Sequence, residues 1–281
     1  MDEERKLPLE PVPEPDHAKK HKQEEEYFLK EDEKKLGALR DKLRLEKQLQ
    51  EQLAAGAEAR QKSNRLKIGE AVLILIAALG LTRLTLLVKS GPIAHYADLV
   101  LAAIWLYLPA MMVWLRKESL KDFALAQLNL AKSLLWFLIA AAAIFPAFYA
   151  AGYLGALKIM RLQFQLTIPQ NLAILSLGQL LLIALPEEWF FRGYLQGRFN
   201  QALGKKWKLF SAQVGPGLIL TSALFALAHF TIAQSPDRLL VFFPALIFGW
   251  LREKTGSLLA PILFHFAANL TFIIFQMSLI K

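Results

Sequence analysis

The chain of 281 residues contains no cysteine. A thiol nucleophile, a disulfide framework and any cysteine-ligated metal are therefore excluded. Histidine is scarce, at five: His17 and His21 lie in a hydrophilic N-terminal stretch, His95 falls between apolar runs, and only His229 and His265 sit inside apolar segments. The chain has no H-E-x-x-H pair of the zinc-protease kind. No serine occupies a nucleophile elbow, and Ser176 and Ser222, though embedded in apolar sequence, carry no accompanying motif.

What the chain has in abundance is apolar sequence. Hydrophobic residues make up 55% of it, the mean hydropathy is +0.33, and the long apolar runs all follow residue 67. That is the profile of a polytopic helical membrane protein lying in a lipid bilayer. The first 67 residues lack an apolar segment of signal-peptide type, so the first membrane helix is expected to direct insertion. The formal charge of +9 forms neither a surface stripe nor a known reader motif, so no nucleic-acid partner is expected.

Residues 1–25, rich in Pro, Lys and Glu, cannot bury enough surface to offset ordering entropy and read as a disordered tail. Residues 26–67 read as a cytosolic amphipathic helix. Leu29, Leu36, Leu39, Leu43, Leu53 and Ala57 fall near a and d of a heptad, which suits self-association or a partner through residues 26–63. Residues 68–281 form the transmembrane domain. Apolar runs over 68–88, 96–115, 133–154, 171–201, 213–234, 238–252 and 257–280 predict an all-α bundle of seven to eight transmembrane helices, each needing about 20 residues to cross a core of ~30 Å.

Loop charge sets the orientation. Arg60, Lys62, Arg65, Lys67, Arg116, Lys117, Lys121, Lys132, Arg198, Lys205, Lys206, Lys208, Arg252 and Lys254 border one set of helix ends, against Arg83, Lys89, Lys158, Arg161 and Arg238 at the other. The positive-inside rule places the N-terminus in the cytoplasm of a multi-pass protein of the cell membrane.

Against this background Glu187-Glu188-Trp189-Phe190-Phe191-Arg192 stands out, because charge at membrane depth is costly and usually functional. Two further motifs accompany it on other predicted helices, Phe225-Ala-Leu-Ala-His229 and His265-Phe-Ala-Ala-Asn269. At 1.5 Å per residue from the cytoplasmic helix ends, Glu187 lies roughly 21 Å deep, His229 roughly 24 Å, His265 roughly 12 Å and Asn269 roughly 18 Å, so one polar pocket could gather them. Glu188 and Arg192, four apart, share a helix face and can pair, whereas Glu187 points about 100° away and is the freer carboxylate. His265 and Asn269, also four apart, put two donors side by side, as an oxyanion hole needs.

A carboxylate and an imidazole beside a trapped water make a general base, and hydrolysis by activated water is the chemistry implied. Other readings of the same residue types stand beside it. The polar groups can hold helices together in a non-catalytic transporter or scaffold, or relay protons. Glu187, His229 and His265 could alternatively bind a divalent metal such as zinc, although no cofactor is expected. Trp189 and Phe225 taken alone are packing or interfacial aromatics.

In order, the three motifs resemble the CPBP family of intramembrane proteases (CAAX protease and bacteriocin-processing, or Abi, enzymes), whose pattern is E-E-x-x-x-R, F-x-x-x-H and H-x-x-x-N/D. The resemblance covers roughly residues 171–280 and leaves the hydrophilic N-terminal stretch outside. It implies an endopeptidase of the CAAX prenyl type acting on a membrane-anchored or lipidated protein. It further implies that Glu187 and His229 activate water, that His265 and Asn269 hold the oxyanion, and that Glu188, Arg192 and Phe225 support them.

Overall fold

The computed structural model describes residues 16–125 and 129–280, and most of them are helical. Residues 1–61 and 62–281 form two separate compact units. In the first, the described chain is the leading part of helix α1 (Asp16–Leu87). Most of the expected disordered tail, residues 1–15, lies outside the described residues. Residues 16–25 are helical instead, because Lys, Glu and Gln are good helix formers and extending an existing helix adds a hydrogen bond for each residue fixed. The seam leucines Leu29, Leu36, Leu39, Leu43 and Leu53 are all exposed.

The second unit holds the end of α1, a short helix α2 (Gly91–His95), then α3 (Ala97–Leu115), α4 (Leu130–Lys158), α5 (Leu172–Leu203), α6 (Pro216–Ala233), α7 (Phe242–Thr255) and α8 (Leu259–Met277). Among the described residues six helices, α1, α3, α4, α5, α6 and α8, are long and apolar enough to cross a membrane. This is fewer than the seven to eight expected from apolar runs. The difference is α7, whose 14 residues span only about 21 Å. Its apolar run gives way to Arg252-Glu253-Lys254, and Gly256, at φ +74°, closes the helix in the left-handed region.

Two small antiparallel pairings went unread in the sequence. Strand β1 (Gln163–Phe164) pairs with β4 (Leu279–Ile280), and β2 (Trp207–Leu209) pairs with β3 (Ala212–Val214) through a turn at Phe210 and Ser211. The β2–β3 hairpin receives the end of α7. Trp250 Nε1 and Lys254 Nζ donate to the carbonyls of Leu209 and Phe210.

α5 is the central element, packed on α3, α6, α7 and α8. Within lipid, apolar burial gives helices little reason to associate, so close packing and interhelical hydrogen bonds carry the contact. Here aromatic rings do the packing. Trp105 of α3 lies 4.7 Å and 5.4 Å from the rings of Phe190 and Phe191, while Trp189 Nε1 donates to the carbonyl of Leu106 at 2.9 Å. Trp189 and Phe225 are thus buried core aromatics.

Near the basic helix ends one residue departs from its expected role. Arg198, taken from the sequence as a loop cation, is 1% exposed. It donates to Glu118 at 2.7 Å and to Glu70 at 2.8 Å. Glu70 also accepts from Tyr194 at 2.9 Å and pairs with Arg116 at 2.7 Å. A buried guanidinium is tolerable because its charge is paired and hydrogen-bonded on both sides.

Candidate active site

The Glu187-Glu188 pair lies on α5 between two π-helical stretches, Gln179–Ala184 and Trp189–Leu195. Such widened turns re-aim side chains from the positions of a regular helix and recur at functional sites. Pro186 is the second residue of the intervening α-helical turn, Leu185–Glu188.

Glu188 is fully buried and pairs with Arg192, as the four-residue spacing predicted, at 2.8 Å. The same oxygen, Oε1, also lies 2.8 Å from Nδ1 of His265 on α8. Arg192 is held from its other sides. Its guanidinium carbon sits 4.2 Å from the ring centre of Phe225 and 4.8 Å from that of Phe248, and Nη2 donates to the carbonyl of Ala245 at 3.4 Å. Phe248 also stacks on the His265 imidazole, with ring centres 4.8 Å apart and planes 14° apart.

Glu187, in contrast, makes no ion pair with a lysine or arginine among the described residues. Its Oε2 lies 3.9 Å from Nε2 of His229 and 3.9 Å from Nε2 of His265. That oxygen is buried and has no hydrogen-bond partner among the described residues. His229 Nδ1 is 3.0 Å from the carbonyl of Phe225, one turn back on α6. A carbonyl can only accept, so Nδ1 carries the proton and, in the neutral ring, Nε2 presents a lone pair. The Phe225 ring lies 4.3 Å from the His229 ring and 6.0 Å from that of His265, filling the corner between them.

Glu187, Glu188, Arg192, Phe225, His229 and His265 therefore form one connected cluster drawn from α5, α6 and α8. Asn269 stands one turn further along α8, where its Nδ2 donates to Gln179 Oε1 at 3.1 Å. Three participants were not singled out in the sequence. Gln179 could have been noticed as an amide in the apolar run before Glu187, whereas Phe248 and Ala245 look like ordinary core residues.

Glu187 and His229 form part of the wall of a cavity of about 250 Å³. Its other lining includes Trp105, Phe191 and Pro186 beside them, then Leu101, Leu182 and Ile232, and finally Asp98, Ala233 and Arg238. Two gaps of 3.9 Å are too long for direct hydrogen bonds and short enough for one water to touch both groups at normal length. Among the described residues, no group of three or more His, Asp or Glu side chains is drawn close enough to hold a metal ion.

No curated protein and no solved structure matches the chain. The segment that builds the site does have a family match. Residues 169–271 match the model of the Rce1-like type II CAAX prenyl endopeptidases, in agreement with the protease family that the three motifs resemble.

Proposed function

We propose that this protein is an intramembrane endopeptidase that hydrolyses a peptide bond of a membrane-anchored or lipidated protein, with Glu187 and His229 activating the attacking water. The family match supports a membrane protease of the CAAX type in general. The observation that carries the finer assignment is the environment of Glu187. Its Oε2 has no hydrogen-bond partner among the described residues, while the Nε2 atoms of two histidines stand 3.9 Å from it.

In this reading a water admitted from the cavity hydrogen-bonds to Glu187 and to the Nε2 lone pair of His229. As the water oxygen bonds to the scissile carbonyl carbon, its proton passes to Glu187, and the carbonyl π pair moves onto oxygen. The tetrahedral oxyanion then collapses, the C–N bond breaks, and the leaving amine takes a proton from the Glu187–His229 pair. No covalent acyl intermediate is required.

The oxyanion would be held by His265 and Asn269. His265 gives its Nδ1–H to Glu188, so it donates through Nε2 only when both ring nitrogens are protonated. Asn269 uses one amide hydrogen on Gln179 and keeps a second for the oxyanion. Glu188, Arg192, Phe225 and Phe248 act through the histidines as positioning residues.

The test uses purified protein with a quenched peptide library and then with the best peptide found. Loss of cleavage on replacing Glu187 or His229, with folding unchanged, supports the assignment. Unchanged cleavage in both variants refutes it.

A further inference from the structure

We propose that the β2–β3 hairpin and the helix ends it packs on bind the headgroup of an anionic phospholipid of the surrounding bilayer. The hairpin joins two candidate spans, leaving α5 at Leu203 and entering α6 at Pro216. It therefore lies at the level where the chain meets the membrane surface. A lipid of either leaflet satisfies this geometry, which depends on the end of the bundle and not on the side of the membrane it faces.

Strand pairing divides the hairpin into two faces. Trp207 pairs with Val214 and Leu209 with Ala212, so these four side chains share one face, while Lys208 and Gln213 share the other. Ala212 and Val214 are buried in a small cluster with Leu218 of α6 and Leu246 and Trp250 of α7. Trp207 and Leu209 on that same face stay 49% and 48% exposed, and Phe210 at the turn 78%. Such rings are costly to leave in water and favoured at headgroup level, where amphipathic aromatics collect.

Basic groups border this apolar surface. Lys254 Nζ donates to the carbonyl of Phe210 at 2.7 Å and lies 4.1 Å from the ring centre of Trp136 on α4, and Trp136 meets Trp250 edge to face at 5.6 Å. One turn before Trp136, and on the same helix face, is the exposed Lys132. Lys206 and Lys208 flank Trp207 and are exposed too. Glu253, the carboxylate at this end of α7, is already taken by Arg252 and Lys205. Lys132, Lys206 and Lys208 are left without an acidic partner among the described residues.

Uncompensated ammonium groups beside exposed rings, at the bilayer surface, match a molecule with a phosphate and acyl chains. The lysines reach the phosphate oxygens, while Trp207, Leu209 and Phe210 lie against the glycerol and the first methylenes. A soluble acidic polypeptide could meet the lysines, but the apolar face adjoins span ends, where lipid is the neighbour already present.

The test mixes full-length protein in detergent with equal amounts of phosphatidylglycerol and phosphatidylcholine of the same chains, and native mass spectrometry counts the lipids retained. The wild type should keep phosphatidylglycerol in excess, and a higher ammonium acetate concentration should shrink that excess. A lysine near an anionic lipid surface is worth a factor of about five in binding. The triple variant Lys132→Gln, Lys206→Gln, Lys208→Gln should lose at least that factor in the ratio, and the same three changes to arginine should preserve it. Equal retention of the two lipids by the wild type, or an unchanged ratio in the glutamine variant, overturns the proposal. Binding of poly-glutamate by the wild type and not by the glutamine variant, with no lipid preference in either, would give the patch to an acidic polypeptide and overturn it as well.

Discussion

His265 Nδ1 lies 2.8 Å from Oε1 of Glu188, so a carboxylate that the sequence tied only to Arg192 is also the anchor of a histidine on another helix. Glu188 thereby links the charge buried in α5 to the orientation of the imidazole that faces Glu187. Removing its side chain leaves Arg192, which is fully buried, without its ion partner. Glu188→Ala should cost about 3–5 kcal/mol of stability, the usual penalty for stranding a buried charge. It should also abolish cleavage. Thermal melting in detergent measures the first effect and a peptide assay the second; a melting temperature close to wild type would show that Arg192 does not depend on Glu188.

Gln179 gives a finer test of positioning. Gln179→Leu removes the acceptor of the Asn269 amide and frees that side chain to turn. The expected effect is a fall in kcat of roughly tenfold with little change in KM, since about 1–3 kcal/mol is lost with a hydrogen bond that leaves one polar group unpaired. Asn269→Ala should cost more, about 10²–10³ in kcat, as removal of an oxyanion donor does. Equal kinetics for Gln179→Leu and wild type would mean that Asn269 needs no such support.

Glu253, which lies outside the six candidate spans, should control the acid limit of stability. Burial pushes its carboxyl pKa up, but Arg252 and Lys205 beside it outweigh burial and hold it below the usual value. Gln196 and Asn200 also donate to it, at 2.6 Å and 2.7 Å. A carboxylate with a lowered folded-state pKa stabilises the fold fully above its unfolded value and loses that contribution as the pH falls through the folded one. The melting temperature of the wild type should therefore drop as the pH falls from about 5 toward 3. Glu253→Gln should start lower at neutral pH and show a flatter acid decline. Parallel pH profiles for the two proteins would contradict this role.

The spacing of polar residues told a good deal of this in advance. Glu188 and Arg192 pair as a four-residue separation requires, and the rotation between adjacent helix positions left Glu187 without a lysine or arginine ion partner among the described residues. Depth counted along three helices also brought His229 and His265 to Glu187. What spacing could not supply was rotation between helices. The His265–Glu188 bond joins residues 77 apart, and the π-helical stretches around the motif shift side chains off a regular helical wheel. The same limit hid Arg198, whose partners Glu70 and Glu118 come from distant parts of the chain. Apolar runs marked the spans well except at α7, where length and not composition falls short.

Metal dependence offers a separate check, because Glu187, His229 and His265 are donors a zinc ion could use. Cleavage by the Glu187–His229 pair should survive a strong chelator. Loss of activity that zinc restores would move the activated water onto a metal at these three side chains.

Whether Glu187 is the base is decided most directly by the cleavage rate of Glu187→Ala in lipid or detergent, measured beside its melting temperature. The melting temperature should lie near that of wild type, since Glu187 Oε2 has no hydrogen-bond partner to lose among the described residues, and the rate should be lower by at least about 10²–10⁴. A folded Glu187→Ala protein that cleaves at the wild-type rate would contradict it.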